Sequence, residues 1–266
     1  FGDGGSLVVP VDESWLTHRS PGAGAGKPGQ RTDDWQPASP VGRYGDAPWG
    51  RPQAMAADPA SYFRKSFAVS KPVKRAVAFA SALGAYELRL NGKPVDTDAL
   101  SPGWTDFGKR VHYLGYDVTP QLAKGENVIG AVLGDGWYAS YLAFSGKRRY
   151  YGGDPRMLVQ LHLTYQDGST ETIATDGTWK CSEGPVREAD LLMGCEYDAR
   201  LEMPGWDAPG FDDMGWKPAL VDAAVKARLV AHPGKPIRRC AELPARSVSE
   251  PKPGVFVFDL GQNMVG

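Results

Sequence analysis

The sequence lacks nearly every local signature of catalysis or metal binding. It has 3 cysteines (Cys181, Cys195 and Cys240), none in a C-x-x-C pair, so neither a dithiol redox motif nor a zinc ribbon is encoded. Three thiols cannot all pair within one chain, and free buried thiols are expected. The 4 histidines lie far apart, without zinc-ligand spacing. No apolar run approaches the roughly 20 residues that cross a bilayer as a helix. A net charge of -1 leaves out the basic face that nucleic acid or an anionic membrane would need. The stretch "PGAGAGKPG" puts Pro28 where a phosphate loop needs Ser or Thr, and a flexible loop is expected there. A G-x-S-x-G elbow is missing, as is a G-x-G-x-x-G after a strand. The chain starts at Phe1 with no signal peptide before it, so the natural N-terminus is expected to lie upstream.

Turn-forming and aromatic residues are plentiful. The 33 glycines and 22 prolines punctuate the 266 residues too often for a helical bundle. With 8 Trp, 11 Tyr and 9 Phe they point to short strands joined by many turns, an all-β fold. "AYELRLNGKPV" alternates Tyr86, Leu88 and Leu90 against Glu87 and Arg89, the period of a half-buried strand, and Asn91-Gly92 then offers a tight hairpin turn. "RMLVQLHLTYQDGSTETIA" repeats the plan with Met157, Val159, Leu161, Leu163 and Tyr165 on one face and Asp167-Gly168 at the turn. "NVIGAVLG" is continuously apolar, as a central sandwich strand is. One short helix is predicted in "DVTPQLAKG", with Thr119 as cap, Pro120 in the first turn and Gly125 at the end.

A weak repeat runs through the chain. "DESW" (12–15) is followed by "DDWQPA" (33–38), and "DGTW" (176–179) by "DDMGWKPA" (212–219). Recurrence of one closing pattern predicts two related β-sandwich units in tandem. The implied boundaries are 1–50 for the tail of an upstream β-sandwich, 51–61 for a linker, and 62–221 for a complete sandwich. A proline-rich connector follows at 222–253, and the first strand of a further β domain at 254–266.

Three loops combine aromatics with acids and amides, the combination that suits a sugar. Aromatic rings pack on the C–H face of a pyranose while carboxylates, amides and guanidinia bond its hydroxyls. The candidates are Asn91, Trp104, Asp106, Asp135, Trp137, Tyr138 and Arg148. The competing reading is that these aromatics fill or cap the sandwich core. "MGCEYDARLEMPGW" gathers Glu196, Asp198 and Glu202 beside Arg200, as a carboxylate-pair catalyst, a calcium site or a salt-bridged loop would. The third is expected: Asp198 and Arg200 tie this late loop to the sandwich, with Trp206 and Trp216 packed behind it.

Taken in order, "SYFRKSF", "LGAYELRLNGKPV", "LSPGWTDFGKRVHYLGYDVTPQL", "GENVIGAVLGDGWY", "RRYYGG", "YDARLEMPGWDAPGFDD" and "DLGQNMVG" resemble the N-terminal β domains of bacterial α-L-rhamnosidases of glycoside hydrolase family 78. The central part is similar to carbohydrate-binding module family 67. The resemblance implies a jelly-roll β-sandwich of the galactose-binding-like kind within an inverting glycosidase. The catalytic carboxylates would then lie on a C-terminal (α/α)6 barrel, and no residue of this chain would be catalytic. The module would bind rhamnose or position the substrate; the alternatives are a purely structural sandwich packed on the barrel, or a rhamnose-binding module of another polysaccharide-active enzyme. The implied partners are an L-rhamnose-containing glycan and the catalytic domain of the same protein, with no nucleic acid and no membrane. No cofactor is required; calcium is the one ion the resemblance admits, with no assigned ligands, and Gly108 and Lys109 stand where relatives carry oxygen ligands. The compartment is not fixed by the sequence, with periplasmic or secreted favoured over cytoplasmic.

Overall fold

The computed structural model describes residues 16–17, 36–37, 58–142, 147–223 and 225–263. The chain divides into two compact units, Phe1–Ala56 and Ala57–Gly266. In the first, Leu16–Thr17 pairs antiparallel with Gln36–Pro37. "PGAGAGKPG" lies outside the described residues.

The second unit is a β-sandwich whose chain alternates between two sheets. Strands β1 (Ser61–Val69), β2 (Val73–Leu83), β3 (Ala85–Leu90), β4 (Lys93–Pro94), β5 (Arg110–Asp117), β6 (Gly125–Gly134), β7 (Arg156–Tyr165), β8 (Thr170–Ala174) and β9 (Lys180–Glu183) lead to a hairpin, β10 (Val186–Asp190) and β11 (Gly194–Tyr197). Later come β12 (Lys217–Pro218), β13 (Arg228–Ala231), β14 (Ser247–Lys252) and β15 (Val255–Asp259). One sheet has the order β8-β7-β2-β5-β13 and the other β12-β9-β1-β6-β3-β4. Every pairing is antiparallel except β13 beside β5. This repeated crossing between sheets is the jelly-roll arrangement expected of the sequence.

The core follows the period-two pattern. Tyr86, Leu88 and Leu90 of β3 and Val159, Leu161, Leu163 and Tyr165 of β7 are buried, while Glu87 points outward. On β2 the inward residues are Ala76, Ala78, Ala80 and Ala82, small enough to admit the larger side chains opposite. Tyr86 and Tyr116 come from opposite sheets and join hydroxyls at 3.0 Å within this core. Burial and the neighbouring phenol push the Tyr86 hydroxyl well above its ordinary pKa, so both rings stay neutral. β6, the "NVIGAVLG" strand, is central in its sheet.

Asn91 and Gly92 take φ of 49° and 82°, the double left-handed turn that a two-residue hairpin requires. Asn91 then sends both amide hydrogens inward, to Gln121 O and Asn127 Oδ1, and accepts from Val128 N–H. Asn127 is fully buried and bonds Ala123 through both its amide groups. The predicted helix is a single 3-10 turn, Thr119–Gln121. Thr119 does not cap it, since Val118 stands at the N-cap; the Thr119 N–H and hydroxyl donate to Asp117 Oδ1, and its Oγ1 accepts from Ala76 N–H. A second short helix, α1 (Gly136–Ala139), was not expected.

The late chain is more integrated than a plain connector. Residues 228–231 extend the five-stranded sheet, and Ile237–Arg238 pairs with Asp98–Ala99. The last hairpin starts at Ser247, ahead of the expected 254. The 3 thiols are free, as expected, but none is fully buried: Cys181 is half-buried and Cys195 and Cys240 are exposed.

Residues 203–216 close over the outer face of the six-stranded sheet. Arg64 and Arg89 flank Gly130 in one cross-strand row. Trp206 lies on Gly130, where a Cβ would come within 2.7 Å of the indole ring. It stacks on Trp216 at 6.2 Å and meets Tyr62 edge-on at 5.2 Å. Arg64, only 3% exposed, bonds Trp206 O at 2.8 Å and pairs with Asp213, which also takes Lys180 at 2.5 Å. Arg89 pairs with Asp207 at 2.6 Å.

The expected tie by Asp198 and Arg200 is replaced by these pairs. Asp198 bonds the Arg200 side chain at 2.8 and 2.7 Å and its backbone N–H at 3.1 Å, all within one turn. Arg200 is 87% exposed and reaches nothing on the sandwich; the loop is held there by Asp198 N–H to Pro185 O, 2.8 Å. Removing Asp213 leaves a buried guanidinium short of its counter-ion. Asp213→Ala should therefore lower stability by about 2 kcal/mol in urea titration, whereas Asp198→Ala should barely move the midpoint; equal effects would contradict the assignment. Asn127→Ala should cost about 3 kcal/mol by stranding several buried backbone groups, read as a lowered melting temperature.

Candidate functional site

The loops after β4, β6 and before β7 meet at one end of the sandwich. In the segment leading to β5, Thr105 and Phe107 point inward while Trp104 and Asp106 point out, the alternation of an extended chain. Phe107 is buried against Tyr138 of α1 at 5.5 Å and Tyr151 at 5.2 Å. Leu83 and Val111 complete this small second core, against which Trp137 packs half-buried. Trp104 Nε1 donates to the Tyr151 hydroxyl at 3.1 Å, and Tyr150 meets Tyr151 edge-on at 4.9 Å. The outcome is a fixed aromatic platform: Trp104 is 46% and Tyr150 55% exposed above buried Phe107. Asp106 accepts from Gly108 N–H and pairs with Lys109 at 3.1 Å. The Lys109 ammonium holds the Asp106 carboxyl below its usual range, so it is an ionised acceptor at neutral pH.

Behind the platform lies a buried ion cluster. Arg148 places its guanidinium 2.7 Å from Asp135, 3.2 Å from Asp190 and 3.3 Å from Glu188. Asp190 also accepts from the backbone N–H groups of Tyr141, Leu192 and Met193. Burial raises the Asp135 carboxyl above its ordinary pKa, with Arg148 opposing that rise.

The sequence-predicted residues thus divide. Trp104, Asp106, Trp137 and Tyr138 come together at this end, with Tyr138 forming the support. Asp135 and Arg148 are there too, but face each other inside, where they anchor α1 to the β10–β11 hairpin. Asn91 belongs to the hairpin network already described, at the opposite end of β6; eight residues of strand put it about 26 Å from Asp135. Sequence reasoning missed Tyr151, Phe107, Glu188 and Asp190. "RRYYGG" carried the signal for Tyr151; the acids had none, since their partner is some 40 residues distant.

A wider concavity lies on the outer face of the six-stranded sheet. It is a cleft of about 660 Å³ floored by Val132 and Gly134 and walled by Tyr62, Glu87, Trp206 and Tyr197. As for a metal, no group of three or more His, Cys, Asp or Glu among the described residues is arranged to hold one. Lys109 sits on Asp106, and Arg148 sits among Asp135, Glu188 and Asp190, so cations of the chain itself already occupy these four acids.

Comparison with known proteins places this architecture. Residues 71–241 match the family described as the alpha-L-rhamnosidase N-terminal domain. The chain is 45% identical over 265 residues to an alpha-L-rhamnosidase of Streptomyces avermitilis, covering 98% of this chain and 26% of that protein. The crystal structure of a Streptomyces avermitilis alpha-L-rhamnosidase complexed with L-rhamnose superposes with a TM-score of 0.74 at 43% identity, over 95% of this chain and 25% of that one. The native rhamnosidase of Aspergillus terreus gives 0.72 at 37% identity, over 80% and 25%. The chain therefore spans about a quarter of the length of the relatives it matches. On the sandwich, its aromatic end and the match over residues 71–241, the chain belongs to the α-L-rhamnosidase N-terminal domain family.

Proposed function

We propose that this chain works within an enzyme that releases terminal α-L-rhamnose from glycosides or polysaccharides, and that its jelly roll holds a rhamnose unit on the Trp104 platform. One observation carries the reading: an indole fixed by its own N–H bond to Tyr151, nearly half exposed, with an ionised carboxylate two residues away on the same side. The C–H groups and 6-methyl of a rhamnose ring suit the indole face, and its hydroxyls can donate to Asp106. Hydrolysis itself belongs to carboxylates outside this chain. With inversion, an acid and a base about 6.5–9.5 Å apart would flank a water molecule there. The partners of this reading are a rhamnose-bearing glycan and the catalytic part of the same protein. A polymeric substrate that does not cross membranes goes with a periplasmic or secreted setting.

Calorimetric titration with L-rhamnose, with and without calcium, tests the proposal. Heat should appear with the wild-type chain, vanish in Trp104→Ala at unchanged melting temperature, and require about tenfold more sugar in Asp106→Asn. A wild-type chain that gives no heat in either buffer would leave the sandwich with packing against the catalytic part as its role.

A further inference from the structure

The cleft on the six-stranded sheet is a separate concavity; Trp104 is not part of its lining. Its shape follows from the outward-facing residues of the second half of β6, Gly130, Val132 and Gly134, which have small side chains or none. Cross-strand register gives three rows: Arg64, Gly130 and Arg89; then Tyr62, Val132 and Glu87; then Gly134 beside Ala85. Trp206 and its aspartates cover the first row. In the other two, Val132 and Gly134 stay partly exposed and form the floor, while Tyr62 is only 5% exposed at its edge. Ala189 of the β10–β11 hairpin stands over Gly134, where a Cβ would lie 3.0 Å from it, so the hairpin makes the far wall.

The lining also defines the ligand. Its charges are already matched: Glu87 and Asp207 on Arg89, Asp190 on Arg148 and three backbone N–H groups. A charged ligand would have no unmatched counter-ion there. The floor is apolar and shallow, whereas acceptors rim it: the half-exposed Glu87 carboxylate on one side and the Tyr197 hydroxyl on the hairpin side. Glu87 and Tyr62 stand two strand spacings, about 10 Å, apart across Val132. An apolar floor, an aromatic wall and carboxylate and phenol acceptors fit a neutral polyhydroxylated ring, and about 660 Å³ is within the range of small-ligand sites.

We propose that this cleft is a second carbohydrate-binding site, taking a neutral pyranose with its C–H face on Val132 and its hydroxyls toward Glu87 and Tyr197. It is independent of the Trp104 platform, so either site can fail alone. The test is amide shift mapping of the 266-residue chain with methyl α-L-rhamnopyranoside and with methyl β-D-glucopyranoside, each taken to its solubility limit. At least one sugar should shift Gly134, Gly136 and Cys195 saturably. Val132→Trp, which fills the floor, should weaken that response at least tenfold and leave the Trp104 loop unchanged. Glu87→Gln, an isosteric change on an exposed side chain, should weaken it severalfold even if the bulkier variant folds poorly. Trp104→Ala should leave it intact. Silent or unsaturable cleft amides with both sugars overturn the proposal, as does an unaltered response in Glu87→Gln; shifts confined to the Trp104 loop support the platform alone.

Discussion

The missing side chain at Gly130 governs the outer face of the six-stranded sheet. Two guanidinia, Arg64 and Arg89, flank that glycine in one row, and like charges so close on a sheet repel unless each is paired. The hollow between them admits the Trp206 ring, and the ring brings Asp207 and, with Trp216, Asp213 to the two arginines. Apolar contact and charge pairing reinforce each other, since sealing by the indole strengthens the pairs it covers. The clasp ends where the row ends. Beyond it, Val132 and Gly134 are left partly exposed between Tyr62, Glu87 and the β10–β11 hairpin.

The loop end depends on a second buried charge. Arg148 brings together Asp135 from the start of α1 and Glu188 and Asp190 from β10. Carboxylates packed this closely would repel without the guanidinium among them, and burial holds the Asp135 carboxyl above its ordinary pKa. The arrangement ties α1 and the β10–β11 hairpin into one piece. The aromatic platform rests on that piece through Tyr138 and Phe107, and the cleft takes its far wall from it. Both concavities therefore inherit their geometry from residues that touch no ligand.

How far the sequence revealed this depends on the range of the interaction. Period-two alternation in "AYELRL" and "LVQLHLTY" and the Asn91-Gly92 turn are local, and the strands and hairpin formed as read. The two copies of the tryptophan repeat also share a local strand pairing. Leu16–Thr17 after Trp15 pairs with Gln36–Pro37, and Lys180–Cys181 after Trp179 pairs with Lys217–Pro218, in the same antiparallel register. What failed was partner choice across long separations. Asn91, Asp135 and Arg148 have the polar groups a sugar needs, but nothing local tells that Asn127, 36 positions away, or Asp190 already holds them. Asp198 and Arg200 failed in the opposite sense. A distance of two residues let them satisfy each other, leaving nothing for the sandwich.

Electrostatics also set the state of the acids around the two concavities. A glycosidase pair needs one carboxyl able to carry a proton and another left anionic, with water between them. Among the described residues, the acids of both concavities are spoken for by cations or by backbone N–H groups: Asp106 by Lys109, Glu87 and Asp207 by Arg89, and Asp135, Glu188 and Asp190 by Arg148. The Lys109 ammonium holds Asp106 below its usual range, whereas burial raises Asp135 against the opposing pull of Arg148. A carboxylate in an ion pair stays a good acceptor for a hydroxyl, which asks only for a spare lone pair. That acceptor capacity is what the two proposed sugar sites draw on. Under the proposed function, the β-sandwich would hold glycan through such acceptors, and bond breaking would fall to carboxylates elsewhere in the protein.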